Sequence, residues 1–181
     1  GHRLVAADYS QIELRLAAHM SQDQTMLQAF RDGEDIHTAT MAAILNIPPG
    51  NVTREQRRQA KAINFGLLYG MGAFALSKQT GLTLAEAEDF VKNYFARFPG
   101  VKNYLEETKR LAAERGYVET LLGRRRYFPG LAQGANTREA AMARSRFERE
   151  AINAPIQGSA ADIIKLAMIR LPSALAQAKL S

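Results

Sequence analysis

The sequence predicts an α+β chain that is mostly α-helical, and three observations carry that prediction. Helix-start signatures recur along it: Thr53 with Gln56, Thr83 with Glu86, and Pro99 opening a segment that Gly116 closes. A single hairpin signal stands out, with β-type residues from Tyr117 to Phe128 around Leu122-Gly123. The 181 residues are 46% hydrophobic and 23% charged, an ordinary globular balance with enough chain to bury a core.

The elements follow in order. Arg3 to Ala7 reads as a short buried strand that ends at Asp8. Gln11 to His19 has helical apolar spacing at Ile12, Leu16 and the alanine pair. Asp23 and Asp35 are N-cap residues for helices running through Phe30 and Leu45. Pro48, Pro49 and Gly50 mark a loop. The long helix opened by Thr53 runs to about Leu68, where Gly66, Gly70 and Gly72 break it. Helices from Thr83 and Pro99 and the hairpin come next. Thr137 to Ile152 is helical by period. Pro155 interrupts, a last helix starts near Ser159, and Pro172 kinks or ends it.

Composition excludes several classes of function. There is no cysteine, so disulfide scaffolds, cysteine zinc sites and thiol catalysis are out. No apolar run approaches the ~18 residues of a membrane span, and no signal peptide is visible. His2, His19 and His37 lack zinc-ligand spacing. The net charge of +6 is unevenly spread. Residues 1–50 are acidic, whereas residues 51–78 carry five bases against one acid and residues 117–158 seven against four. That footprint suits a polyanionic partner or a solvated basic surface.

Three constellations carry chemistry. Asp8, at the end of a strand entering a helix, is placed either to hold a hard cation or to cap that helix, with Glu13 five residues on. Arg54, Arg57, Arg58, Lys61, Phe65 and Tyr69 recur at steps of three and four, giving one helix face that is basic at one end and aromatic at the other. Such a face suits a nucleotide, cations on phosphates and rings on base or sugar; the alternative is an amphipathic helix with Phe65 and Tyr69 in the core. Arg149, Asn153 and Gln157 are four apart, and share a face if the helix register survives Pro155. Their alternative is a helix surface and a turn. Asp162 reads as a cap or surface charge. The chain starts without Met and stops after an amphipathic stretch, so both ends read as cuts through a larger protein.

Four strings resemble the polymerase domain of family A DNA polymerases, the bacterial DNA polymerase I type. VAADYSQIELRLAAHMS looks like its motif A and RRQAKAINFGLLYGMG like its motif B, while YVETLLGRRRYFP and EREAINAPIQGSAADIIK resemble the segments that follow. The resemblance implies a right-hand fold, of which residues 1–22 supply a palm segment. Residues 23–135 would be the fingers and following hairpin, and residues 136–181 a return into the palm. It implies template-directed deoxynucleotidyl transfer with two magnesium ions. Asp8 would ligate both and the Tyr9 carbonyl one. Glu13 would be a steric gate against a ribose 2′-hydroxyl. His37, Arg57 and Lys61 would hold the triphosphate, Lys61 also counting as catalytic. Phe65 would pack on the incoming sugar and base, and Tyr69 would sit at the template–insertion boundary. Arg149, Asn153 and Gln157 would track DNA. The implied partners are primer-template DNA and dNTP, with no membrane, for a monomeric bacterial enzyme of the cytoplasm. The family's motif C, a His-Asp-Glu on a palm hairpin, does not occur in these residues, so the chain alone is expected not to polymerise. Two competing readings are a single-subunit RNA polymerase, against which Glu13 and the motif B string argue, and a non-enzymatic nucleic-acid-binding helical module.

Overall fold

A computed structural model describes residues 4–129 and 138–179. The elements are α1 (Ile12–Ser21), α2 (Gln24–Arg31), α3 (Ile36–Leu45), a 3-10 turn (Pro49–Asn51), α4 (Arg54–Leu68), α5 (Ala73–Thr80), α6 (Leu84–Arg97), α7 (Pro99–Arg115), β1 (Tyr117–Glu119), β2 (Arg125–Tyr127) and α8 (Arg138–Gln177). The mostly helical α+β reading holds.

The caps act as the sequence predicts. Asp23 accepts from the Met26 N–H, and Asp35 from the N–H groups of His37 and Thr38. Thr53 with Gln56 and Thr83 with Glu86 form complete capping boxes. Gly116 ends α7 at φ +74°. β1 and β2 pair antiparallel, Tyr117 opposite Tyr127 and Glu119 opposite Arg125.

The core follows from the helical periods. Leu14, Ala17 and Ala18 of α1 pack with Ile63, Leu67 and Leu68 of α4. Tyr94, Phe98 and Val101 at the α6–α7 junction join them, as do Ile152 and Ile156 of α8. Each fully buried Leu, Ile, Val or Phe among them contributes about 1.5–3 kcal/mol. A smaller cluster of Ala112, Val118, Phe128 and Ala151 lies under the hairpin. Helix α1 contacts α2, α7 and α8, and α3 contacts α4. Among the described residues no helix is long and apolar enough to cross a membrane.

Five expectations are corrected. The segment from Leu4 to Ala7 is not a strand, and Leu4 and Val5 are fully exposed. A strand needs a neighbour to hydrogen-bond, and among the described residues none lies beside it. Asp8 does not cap α1: the N-cap is Gln11, at φ 53°, with no side-chain capping bond. Gly66 lies within α4, and the helix ends only at Tyr69 and Gly70, the latter at φ +79°. Ala73–Thr80 forms a helix, α5, that the glycine-rich stretch before it conceals. Pro155 and Pro172 sit inside one forty-residue helix. Pro155 removes one backbone donor, but Ala151, Ile152, Ile156 and Ala160 are buried around it and tertiary packing holds the helix across the gap. Thr137 lies outside the described residues.

Candidate functional site

A cleft of about 410 Å³ opens where the stretch before α1 meets α3 and α4. Its lining brings together Asp8, Tyr9, Ser10, Gln11, Ile12, Glu13, His37, Arg57, Lys61 and Phe65. Seven of the residues singled out in the sequence therefore share one cavity, although they come from three separate parts of the chain.

The walls are chemically distinct. Asp8 and Glu13 come with α1 and the turn before it; Arg57, Lys61 and Phe65 come one turn apart along α4. Among the described residues no ion pair closes between the two acids and the two cations. The other side of α4 is the predicted packing side, with Ile63 and Leu67 at 2% and 0% exposure.

Helices α3 and α4 are tied together beside the cleft. The Arg57 guanidinium donates to Asp35 Oδ2 through Nε at 2.8 Å and Nη2 at 2.5 Å. Burial alone would raise the Asp35 carboxyl, but the Arg57 bond, the Thr38 N–H and the neighbouring positive charges outweigh it and hold it below the usual carboxylate range. His37 is buried, with Nδ1 3.0 Å from Asn64 Nδ2. Burial is the main reason its imidazole sits below its ordinary pKa; Asp35 pulls upward, and Arg57 and Lys61 add to the depression. The His37, Phe65 and Tyr69 rings follow one another at centroid spacings of 6.1 and 6.2 Å.

The aromatic end of α4 meets α8. A Cβ on Gly70 would lie 2.8 Å from Ile152 Cδ1 and 3.3 Å from Arg149 Cγ, so a bare backbone is needed for the two to approach. The Tyr69 hydroxyl is buried without a hydrogen bond, beside Glu13 and Gln157. Burial and the nearby Glu13 push its pKa well above the usual phenol range. Because α8 is unbroken, Arg149, Asn153 and Gln157 do share a face. Arg149 and Gln157 are exposed, and Asn153 keeps a buried Oδ1 without a partner.

For a hard divalent cation the donor set is the Asp8 and Glu13 carboxylates and the Tyr9 carbonyl, all oxygen. Among the described residues no three metal-binding side chains cluster. Three oxygen donors could make part of such a cation's shell, not all of it.

Some contributors were missed. Asp162 is a latch, not a surface charge: it is 9% exposed and accepts from Thr120 Oγ1 at 2.8 Å and Arg124 Nε at 2.9 Å. Ser159 Oγ accepts from the Leu121 N–H at 2.9 Å and donates to the Pro155 carbonyl. Together they fasten the hairpin to α8. The sequence around Asp35 shows a cap alone, and that around Asn64 shows no role. Their partners lie 22 and 27 residues away, a pairing that no local pattern encodes.

The model of the family described as DNA polymerase family A matches residues 1–181, so the chain belongs to that family. Among its curated relatives is DNA polymerase I of Pseudomonas aeruginosa, 51% identical over 180 residues; the match takes in 99% of this chain and 19% of that protein. The thermostable DNA polymerase I of Thermus filiformis is 50% identical over 172 residues, 94% of this chain and 20% of that protein. The chain thus spans about a fifth of the length of these relatives. A solved structure described as the POL domain of Pol1 from M. smegmatis, in complex with DNA primer-template and dNTP, is 45% identical at a TM-score of 0.87. That likeness covers 96% of this chain and 30% of the solved one.

Proposed function

We propose that the chain is the nucleotide-handling part of a template-directed DNA polymerase, which transfers a deoxynucleotide from dNTP to a primer 3′-OH. The cleft that gathers Asp8, Glu13, His37, Arg57, Lys61 and Phe65 is the observation that supports this most. In this reading residues 1–22 are a palm segment, 23–135 the fingers and following hairpin, and 136–181 a return into the palm. The partners are primer-template DNA and dNTP. The parent acts as a monomer in the bacterial cytoplasm.

The chemistry is phosphoryl transfer, which depends on positioning and charge neutralisation more than on covalent steps by the protein. Arg57 and Lys61, one turn apart, grip the triphosphate, and Lys61 neutralises charge as the bond to the leaving pyrophosphate breaks. His37 supplies a further donor. Phe65 lies along sugar and base, and Glu13 fills the space that a 2′-hydroxyl needs. Tyr69 closes the far side, next to the Arg149–Asn153–Gln157 face that follows the DNA. Two magnesium ions in the complete enzyme would supply activation of the 3′-oxygen and charge stabilisation for the pyrophosphate. Asp8 and the Tyr9 carbonyl are the ligands this chain contributes. Because the closing carboxylates of motif C are not among these residues, the chain by itself is inactive.

Primer extension with magnesium and four dNTPs tests the reading. The chain alone gives no product, a version completed with thumb and motif C extends the primer, and Asp8→Ala abolishes extension. A folded completed version without activity would refute the polymerase reading and leave a salt-sensitive nucleic-acid-binding module.

A further inference from the structure

We propose that Asn64 is a positioning residue for nucleotide binding: it fixes the buried His37 ring as the Nε2–H tautomer, so that the ring offers a donor to the anionic group in the cleft. This deepens the reading above and rests on His37 meeting the triphosphate.

Asn64 and His37 are each 1% exposed, and the amide nitrogen lies 3.0 Å from Nδ1. Asn64 does not line the cleft, whereas His37 does. The direction of the bond follows from what each orientation strands. With Nδ2 donating, the carbonyl oxygen Asn64 Oδ1 and one N–H of the amide are left over. With the amide reversed, the buried NH2 would lose both its donors to no partner, and orphaned buried N–H groups are rarer than under-satisfied carbonyls. Nδ1 is therefore the acceptor, and the proton of the neutral ring sits on Nε2. Among the described residues Nε2 makes no hydrogen bond.

The charged groups around the ring are Asp35 on its own helix, Arg57 and Lys61 on α4, and Asp8 and Glu13 on the opposite wall. Burial favours the uncharged ring. The tautomer, not a second proton, then decides whether Nε2 attracts a phosphate oxygen or turns a lone pair toward it. Asn64 sets that choice from behind.

The test uses the full-length enzyme labelled with 15N-histidine. Long-range 15N–1H correlation should show one histidine, identified by its loss in His37→Gln, with Nε2 protonated and Nδ1 bare. Asn64→Asp, whose carboxylate accepts but does not donate, should move a proton onto Nδ1. Asn64→Ala and Asn64→Asp should each raise the KM for dNTP by about tenfold to a hundredfold, the range for losing one hydrogen bond to a charged group, with a much smaller change in kcat. Asn64→Ser, which keeps a donor, should recover part of the loss. A wild-type His37 protonated on Nδ1 would overturn the proposal. So would an Asn64→Asp enzyme with unchanged tautomer and KM, because a purely structural Asn64 lowers stability without moving either. If His37→Gln leaves the KM unchanged, the triphosphate reading fails, and with it the functional half of the proposal. The nitrogen spectrum still decides the Asn64–His37 assignment.

Discussion

Asp23 holds two helices with one carboxylate, and removing it should cost far more than an ordinary cap. Its Oδ1 accepts from the Met26 N–H of α2 at 2.9 Å, and its Oδ2 from the Gly100 N–H in the first turn of α7 at 2.8 Å. Asp23 is 2% exposed, so water does not replace either bond. An N-cap change to Ala costs about 1 kcal/mol. Stranding the Gly100 donor adds about 1–3 kcal/mol. Asp23→Ala should therefore destabilise the chain by about 2–4 kcal/mol, or roughly 5–15 °C in Tm at this chain length. Asp23→Asn keeps one acceptor and should lose about half as much. Gly100→Ala attacks the same seam from the other side, since its Cβ would sit 2.8 Å from Asp23 Cα. Thermal unfolding followed by far-UV circular dichroism gives the numbers. An Asp23→Ala chain within about 1 kcal/mol of wild type would refute the double-cap argument.

Three further outcomes follow from the cleft. In the full-length enzyme, Arg57→Ala removes a charged donor and should weaken dNTP binding by about tenfold to a hundredfold, read as KM in steady-state extension. Glu13→Ala should admit ribonucleotides, and unchanged sugar selectivity would count against the gate. Asp35 makes stability pH-dependent with a definite sign. Its folded pKa is depressed, so its contribution is present above the unfolded carboxylate value of about 3.9 and lost as pH falls through the folded value. Acid titration of the unfolding midpoint should show a shallower decline in Asp35→Asn.

The site was legible where it is built from local repeats. Arg57, Lys61 and Phe65 announce themselves because a 3.6-residue period puts every fourth side chain on one face, and α4 keeps that period from its capping box to Leu68. The caps at Asp23, Asp35, Thr53 and Thr83 were legible for the same reason, since each is settled within four residues. What escaped depends on distance along the chain. Nothing near Asp162 shows that Thr120 and Arg124 wait for it. The second duty of Asp23, toward Gly100, spans 77 residues. Pro155 misled because a local rule about a lost donor was outweighed by buried neighbours on both sides. The segment before Asp8 misled because its apolar residues predict burial, and a strand exists only with a partner.

Helix α8 invites a mechanical reading. Forty residues at 1.5 Å each make a rod of about 60 Å. The hairpin grips it at Ser159 and Asp162, near its midpoint, and the core grips the Arg149 half through Ala151, Ile152 and Ile156, which leaves a free arm of roughly 20 Å toward the far end. A bar clamped along one half is a cantilever, and its outer end alone is left to bend. A load on the outer arm, where Met168 and Ile169 stand exposed, is carried into the hairpin latch and the core before it reaches Arg149.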